Sequence, residues 1–195
     1  MASLKSNNLT SRFYIAGGTA AALQLGHRLS YDFDFFSREE FDPVTLIQRL
    51  ASLGSFSLTG EAWCTVHGIL DGVRVSFMTY KYPLLFPVKR FKGIDIADLR
   101  DIALMKITAI SSRGSKKDFI DLYVICKEVI PVNELLKLLE DKYKGTGYSL
   151  YHIIRSLAFF DDAERDVDPI TLTRITWTEV KEYFTRLQKE LLASY

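Results

Sequence analysis

Two aspartates interrupt one of the most aromatic stretches of this chain, Asp32-Phe33-Asp34-Phe35-Phe36, and they constrain its fold more than any other feature. Phenylalanines favour burial, whereas carboxylates resist it unless a cation or another partner compensates them. In a β-strand, residues two apart point to the same face. The sequence therefore predicts a strand here, with Phe33 and Phe35 in the core and both aspartates on the opposite, polar face.

Two carboxylates on one strand face repel each other unless a cation or a proton lies between them. Mg²⁺ commonly takes one or two protein carboxylates and completes its shell with substrate phosphates and water. A solvated strand face would also accommodate Asp32 and Asp34, and D-x-D by itself is a weak motif. On this pair alone, both interpretations stay open.

A Gly17-Gly18-Thr19 turn precedes the strand, between a short apolar run at 12–16 and a helix predicted over 19–27. Glycine lets a backbone approach a ligand closely, and the exposed amides of a helix N-terminus suit phosphate. A plain strand–turn–helix junction also uses glycine. Together with the D-x-D that follows, however, this turn predicts a phosphate cradle, in which the backbone amides at the glycines bind phosphate, beside a metal site.

A third group of candidate residues lies on two predicted helices further along the chain. Lys106 interrupts an apolar helical stripe that Arg113 continues. A lysine in such a stripe either snorkels to solvent or points into a cleft, toward phosphate. Asp118 and Asp121 fall three apart on the next helix, where they could orient Lys106 or Arg113. The sequence favours an exposed helix start for Lys116.

The remaining elements predict strands first and helices later. Three more strands are expected at 55–59, 62–70 and 73–80, with a tight hairpin at Asp71-Gly72 and an extended piece at 93–97. After a helix opened by Asp42-Pro43, helices follow at 98–112, 116–129, 132–142, 148–160 and 177–193. This order predicts an α+β fold: a mixed-sheet core lobe, residues 1–97, and a helical lobe, residues 98–195, packed as one compact unit with the core.

Composition and charge exclude several classes of protein. The chain is 48% hydrophobic and 25% charged, which is typical of a folded soluble protein. No apolar run is long enough for a membrane span, and the polar N-terminus lacks a signal core, so we expect a cytoplasmic protein with no membrane partner.

Cys64 and Cys126 are expected to be buried free thiols. Residues 81–130 hold ten basic against six acidic residues, a modest excess that fits a phosphate-rich ligand.

Three segments together resemble the nucleotidyltransferase-like AbiEii/AbiGii family: FYIAGGTAAALQLGHRLSYDFDFF, GVRVSFMTYKYPLL and DIALMKITAISSRGSKKDFIDLY. Members are toxins of abortive-infection systems within the DNA polymerase β-type nucleotidyltransferase superfamily. The resemblance covers about residues 12–128. It implies a mixed-sheet core, an NTP bound with Mg²⁺ (or Mn²⁺), and transfer of a nucleotidyl group to an acceptor, which we expect to be RNA. It also implies a toxin–antitoxin or phage-defence role, with a cognate antitoxin as partner.

The resemblance assigns roles to the N-terminal motifs one position at a time. Gly17, Gly18 and Thr19 match the glycine motif that holds the triphosphate. Asp32 and Asp34 match the D-x-D that binds the catalytic metal.

The helical motifs match in the same way. Lys106 corresponds to the lysine of the third motif, as a catalytic and nucleotide-binding residue, and Asp118 to the catalytic aspartate of the fourth. Arg113 and Asp121 accompany them at the nucleotide. His27 matches a "GHR" segment, for which a structural or hydrogen-bonding histidine is the favoured interpretation. The sequence gives no context for a role of His67.

One position departs from the superfamily pattern. A neighbouring strand usually supplies a third carboxylate that ligates metal or deprotonates the acceptor hydroxyl, and Ser76 stands at the matching place. A hydroxyl cannot act as a base at neutral pH. Three explanations stay open: Asp71 or another residue supplies the function, the metal activates the acceptor, or the protein binds nucleotide and turns over poorly.

Two alternative functions stay open as well. A small-molecule adenylyltransferase of the antibiotic-modifying kind would share the core, and the acidic stretch 161–169, expected as a surface loop, would fit a cationic drug. A non-catalytic nucleotide- or RNA-binding module would account for Ser76.

Overall fold

The computed structural model describes residues 12–194 of the 195-residue chain. The polar N-terminus considered above lies outside the described residues. Those described divide into two compact units. The first holds the described residues up to Ala20 together with Ser30–Asp98, and the second holds Ala21–Leu29 together with the chain from Leu99 onward. The segment Ala21–Leu29 is thus part of the helical unit, although it lies early in the sequence.

A seven-stranded mixed sheet forms the described part of the first unit's core. Its strands are β1 (Tyr14–Ala16), β2 (Phe33–Ser37), β3 (Phe56–Ala62), β4 (Thr65–Leu70), β5 (Val73–Thr79), β6 (Lys89–Phe91) and β7 (Ile94–Ile96). Their order across the sheet is β3-β4-β5-β2-β1-β7-β6, with β2–β5 and β1–β7 parallel and the other neighbours antiparallel. The predicted α+β fold class with a mixed sheet is confirmed.

The helices follow the predicted order with shifted ends. They are α1 (Gly17–Leu25), α2 (Pro43–Leu53), α3 (Leu99–Ser112), α4 (Lys116–Glu128), α5 (Val132–Lys142), α6 (Leu150–Ser156), α7 (Asp161–Glu164) and α8 (Trp177–Ala193). The Asp42 carboxylate caps α2 by accepting from the Thr45 amide, as the sequence predicts. None of these helices is both long and apolar enough to cross a bilayer.

One face of the sheet is apolar, and the polar residues of the central strands lie on the opposite face. Ile15, Phe35 and Phe77 are neighbours on β1, β2 and β5, and each is at most 1% exposed. The rings of Phe35 and Phe77 stack with centroids 4.6 Å apart. Because strand residues alternate, the residues between them, including Asp34 and Ser76, point to the other face.

An aromatic cluster organises the second unit. The Phe119 ring of α4 contacts the rings of Phe160, Trp177 and Phe184 at centroid distances of 5.1, 5.9 and 5.6 Å. This cluster buries one side of α4 against α8. The cluster therefore fixes the rotation of α4 about its axis, and with it the direction in which Asp118 and Asp121 point.

The prediction of a surface loop over 161–169 is wrong for its first residues. Asp161–Glu164 form the short helix α7. Ala163 is completely buried and anchors this turn, so the acidic residues around it stay at the surface on a helical backbone.

Candidate functional site

The D-x-D motif straddles the beginning of β2. Asp34 lies on the strand and Asp32 immediately before it. In the parallel pairing with β5, Asp34 lies opposite Ser76, and Arg74 donates from Nε to Oδ1 of Asp32 at 2.9 Å. The side chains of Arg74 and Asp32 are 74% and 45% exposed. Exposed ion pairs contribute little free energy, so a divalent cation can compete with Arg74 for this carboxylate.

Gly17 brings the start of α1 against the second carboxylate. Its φ of +73° lies in the left-handed region, and the chain turns there directly from β1 into α1. A Cβ at this position would lie only 2.9 Å from Oδ2 of Asp34. Both observations require glycine. Gly18 follows, half-buried, in the first turn of α1.

The Thr19 side chain forms hydrogen bonds within the protein. Its hydroxyl donates to the main-chain carbonyl of Asp32, and its Oγ1 lies 2.8 Å from Oγ of Ser30. The side chain is buried. In this arrangement Thr19 holds the segment that presents Asp32, whereas the sequence resemblance expects it at the triphosphate.

The donor set at Asp32 and Asp34 fits a hard divalent cation. Carboxylate oxygens are the protein ligands that Mg²⁺ takes, and glycine at position 17 keeps any side chain away from Oδ2 of Asp34. Over residues 12–194, no three or more His, Cys, Asp or Glu side chains gather as a metal-binding group. An ion at this place would therefore depend on the two aspartates and on oxygens from a substrate.

Ser76 lies between Asp34 on one neighbouring strand and a histidine on the other. His67 of β4 pairs with Ser76 of β5, and Nδ1 of His67 lies 3.0 Å from Oγ of Ser76. Asp71, one suggested source of the carboxylate that the sequence resemblance expects near Ser76, lies in the β4–β5 turn, where it accepts from the Ser55 amide at 2.9 Å. Val73, where β5 begins, is three strand residues from Ser76, roughly 10 Å, and Asp71 lies in the turn before Val73. Asp71 therefore does not replace a carboxylate at Ser76.

Lys106 of α3 lies in a buried ion cluster of the second unit. Its Nζ is 2.7 Å from Oδ1 of Asp118 and 2.6 Å from Oδ2 of Asp121, both on α4. The lysine is only 5% exposed. A snorkelling lysine would have its ammonium in water, so that interpretation of Lys106 is wrong.

Asp121 ties the early segment Ala21–Leu29 to α4. Its Oδ1 accepts from Nε2 of His27 and from Nε of Arg28, both at 2.7 Å, and its Oδ2 accepts from the second arm of the Arg28 guanidinium at 2.9 Å. Arg28 and His27 are both buried. His27 thus has the hydrogen-bonding role that the sequence favours.

Asp118 binds two cations and a hydroxyl. Besides Lys106, it accepts from Nε of Arg113 at 3.1 Å and from Oγ of Ser115 at 2.7 Å. The Arg113 side chain is largely exposed and borders an open cleft of about 640 Å³ within the second unit. The Nε of Arg113 is thus held by Asp118, while most of its side chain is accessible to solvent.

The cluster is ionised at neutral pH. Burial by itself raises the pKa of Asp121 and Asp118, but the charge of Lys106 and the hydrogen bonds around them outweigh it and hold both pKa values below the ordinary aspartate range. Burial by itself lowers the pKa of Lys106, and the two carboxylates reverse this and hold it above its ordinary value. Asp118 and Asp121 therefore keep Lys106 charged and in one position.

Two buried lysines were missed or misjudged from the sequence. Lys142 forms a completely buried ion pair with Asp101 at 2.7 Å, and no sequence pattern indicates it. The prediction that Lys116 is exposed is wrong: its Nζ is buried and donates to the Asp166 carbonyl at 3.0 Å and to Asp168 at 2.8 Å. The acidic stretch downstream was the available signal, because buried lysines need such partners.

A protein of Aquifex aeolicus is similar to this chain along almost its whole length, and its name carries no activity. The uncharacterized protein aq_aa25 of strain VF5 is 39% identical over 196 residues, which span 96% of this chain and 91% of that protein. No protein-family model matches the chain, so membership in the AbiEii/AbiGii family stays a prediction.

Solved structures share the fold. JHP933 from Helicobacter pylori superposes with a TM-score of 0.51 at 16% identity, over 100% of this chain and 91% of that one. MenT4, the nucleotidyltransferase toxin Rv2826c from Mycobacterium tuberculosis H37Rv, has a TM-score of 0.56 at 14% identity, over 91% of this chain and 75% of that one. At such identities the likeness is one of fold, and the chain has a nucleotidyltransferase-like fold.

Proposed function

We propose that this chain, which belongs to the same family as the uncharacterized protein aq_aa25 of Aquifex aeolicus, is a Mg²⁺-dependent nucleotidyltransferase that uses an NTP and acts on RNA. One observation carries the proposal. On a nucleotidyltransferase-like sheet, Gly17 turns the chain into α1 directly against the carboxylate of Asp34. Backbone amides for phosphate and carboxylates for a cation are thereby adjacent, as metal-assisted phosphoryl transfer requires.

The N-terminal motifs would bind the triphosphate end of the NTP. The amides at Gly17 and Gly18 would donate to phosphate oxygens, and Asp32 and Asp34 would hold the metal ion. When bound, Mg²⁺ would offset the negative charge of the phosphates and polarise the reacting phosphorus. Arg74 would release Asp32 for this purpose, since their ion pair is exposed.

For Lys106 we retain the predicted role of stabilising the pyrophosphate leaving group, with Arg113 beside it. An ammonium has three N–H donors, and Asp118 and Asp121 account for two of them. A charge held in one place before the reaction costs no reorganisation when the leaving group develops its own charge. Asp118 and Asp121 would then act by positioning Lys106.

RNA as the acceptor and the toxin role rest on the sequence resemblance. The structural neighbour MenT4 is described as a nucleotidyltransferase toxin, which supports this direction without extending to its substrate. The basic excess of residues 81–130 also favours a polyanionic acceptor. A cognate antitoxin protein is part of the same proposal.

A non-catalytic nucleotide- or RNA-binding module is the second candidate, because Ser76 stands where a carboxylate is usual. The antibiotic-type adenylyltransferase is less well supported. Two of the acidic residues that would receive a cationic drug, Asp166 and Asp168, instead bind Lys116.

The test is to incubate the pure protein with Mg²⁺, each of the four NTPs labelled with ³²P at the α-phosphate, and either total RNA or an aminoglycoside. Label in RNA that disappears with EDTA would support the proposal. Binding of Mg-NTP or of RNA by calorimetry without any labelled product would favour the binding module. Label in the aminoglycoside but not in RNA would favour the small-molecule enzyme, and neither binding nor transfer would contradict all three.

A further inference from the structure

We propose that His67, acting through Ser76, accepts the proton of the attacking acceptor hydroxyl, and so replaces the third carboxylate of the superfamily. This inference rests on the proposed transferase function. It concerns a histidine to which the sequence gave no role and a serine that departs from the superfamily pattern.

The register of the sheet places the three residues in a row. Asp34 of β2 lies opposite Ser76 of β5, and Ser76 lies opposite His67 of β4. Residues directly opposite each other on neighbouring strands share a face of the sheet and are separated by roughly 5 Å. Ser76 is therefore next to the proposed metal ligand, and His67 is next to Ser76.

Burial on the opposite face confirms that these side chains share the polar face. The residues that follow Asp34 and Ser76 and precede His67 are Phe35, Phe77 and Val66, and all three are buried. Alternation along each strand then points the candidate side chains away from that core. Ser76 is partly accessible and His67 is exposed.

The contact between Ser76 and His67 has the geometry of a hydrogen bond. Nδ1 of His67 and Oγ of Ser76 are 3.0 Å apart. A serine hydroxyl can donate to an imidazole nitrogen while a lone pair accepts from another hydroxyl. Serine alone is no base at neutral pH, whereas a neutral imidazole is the side chain best suited to accept a proton there.

The neighbouring strands orient the imidazole and place no unpaired charged side chain of β5 beside it. On β3 the residue opposite is Gly60, and a Cβ there would be in van der Waals contact with Cδ2 of His67, so the ring lies over the glycine. On β5 the charged residue of the same face is Arg74, which is paired with Asp32. Because His67 is exposed, its ring is accessible to water.

The step balances without any further reactant. The acceptor oxygen forms a bond to the α-phosphorus of the NTP, and the bond from that phosphorus to the bridging oxygen breaks, so that pyrophosphate leaves with the electron pair. The acceptor proton passes to Oγ of Ser76 as the serine proton passes to Nδ1 of His67. The imidazolium then loses one proton to water and returns to the neutral tautomer in which Nδ1 can accept again.

The closing experiment compares His67→Ala, Ser76→Asp and the double variant in the labelled-RNA assay, alongside Mg-NTP binding by calorimetry. We expect His67→Ala to lower kcat by about a hundredfold or more, the usual contribution of a general base, with the Kd for Mg-NTP unchanged. Added imidazole should restore part of the lost rate. Thr65→Ala, on the same face of β4, is the matched control and should behave as wild type.

Ser76→Asp restores a carboxylate beside Asp34, so it should make the histidine dispensable. The double variant should therefore transfer as fast as Ser76→Asp alone. The inference is overturned if His67→Ala keeps its kcat, if it loses NTP binding and imidazole does not rescue it, or if the double variant transfers more slowly than Ser76→Asp. In each case transfer by the wild type leaves the proposed function standing, whereas a wild type without transfer overturns both.

Discussion

At Gly17, one backbone angle and one carboxylate decide which residue the chain can carry. The left-handed φ disfavours any side chain, and Oδ2 of Asp34 lies against the place where a Cβ would begin. The position therefore combines a conformational requirement with a steric one. Only the steric requirement is connected to the proposed site, and the two can be separated experimentally.

We predict that Gly17→Ala lowers the free energy of unfolding by about 1–3 kcal/mol and also weakens Mg-NTP binding, because Asp34 must move. Gly26→Ala is the matched control: its φ is +62°, but nothing lies within 4 Å of its Cβ position. It should lose stability through strain and keep its NTP affinity. Urea denaturation measures the stability and calorimetry the NTP affinity. Equal NTP affinity in both variants would contradict the hypothesis that the turn at Gly17 binds the phosphates.

Lys106 differs from most lysines because its whole charge is compensated inside the protein. We predict that Lys106→Met destabilises the protein by about 3 kcal/mol, the lower end of the cost of breaking a buried ion pair, since Asp121 keeps Arg28 as a partner. Urea denaturation measures this loss. Lys117→Met, at an exposed position on the neighbouring helix α4, should change stability by less than about 0.5 kcal/mol.

The same variant tests the proposed role at the leaving group. Measured at a temperature where circular dichroism shows it folded, Lys106→Met should transfer at least about a hundredfold more slowly than wild type. A variant that is less stable but equally active would limit Lys106 to a structural role.

At the scale of the element, the beginning of β2 and the helix α4 each present two aspartates, in opposite environments. Those at β2 are partly accessible and one is held by an exposed arginine, whereas those on α4 are buried among cationic and hydrogen-bonding partners. Accessible carboxylates can exchange partners at little cost, and buried ones cannot. The metal hypothesis therefore belongs to β2 and the positioning hypothesis to α4.

We predict that Asp32→Asn and Asp34→Asn each lose Mg²⁺-dependent NTP binding while the fold is kept. The lost ion pair with Arg74 should cost less than about 1 kcal/mol because it is exposed. Asp95→Asn on β7, which removes a similar ion pair with Arg90, is the control and should bind as wild type. If calorimetry finds wild-type Mg-NTP binding in both test variants, the site lies elsewhere.

At the scale of the whole molecule, the buried cluster makes stability depend on pH in a defined direction. The pKa values of Asp118 and Asp121 are lowered in the folded state, so their contribution is complete above the unfolded value of about 4 and is lost as the pH falls below it. The pKa of Lys106 is raised, so its contribution is complete below about 10 and is lost as the pH rises through its folded value.

We therefore predict a broad plateau of stability between roughly pH 5 and pH 10, with a steep decline below about pH 4. Urea midpoints measured from about pH 2.5 to pH 7 would show it. Asp118→Asn should have a lower midpoint near neutral pH and a shallower decline toward acid, because it has one carboxylate fewer to protonate. A wild-type midpoint that stays constant down to about pH 3 would contradict the ionised cluster.

Short-range patterns of the sequence determined much of the fold. Alternation around Phe35 predicted a strand with one buried face, Asp42-Pro43 predicted a helix start, and Asp71-Gly72 predicted the turn between β4 and β5. Each prediction depends on residues within a few positions of one another, whose backbone preferences act locally. The candidate motifs at Gly17 and Asp34 were visible for the same reason.

Only the tertiary structure decided which of these residues have partners, and which partners they have. Asp121 binds Arg28 across 93 positions of sequence, and Ser76 meets His67 because β4 and β5 pair in one register out of several. A shift of one residue would turn His67 to the other face of the sheet. A buried charge is tolerated wherever folding supplies its counter-charge, and sequence distance carries no information about that supply. The sequence therefore determined the chemistry available at each residue, and the packing of strands and helices decided which groups can act together.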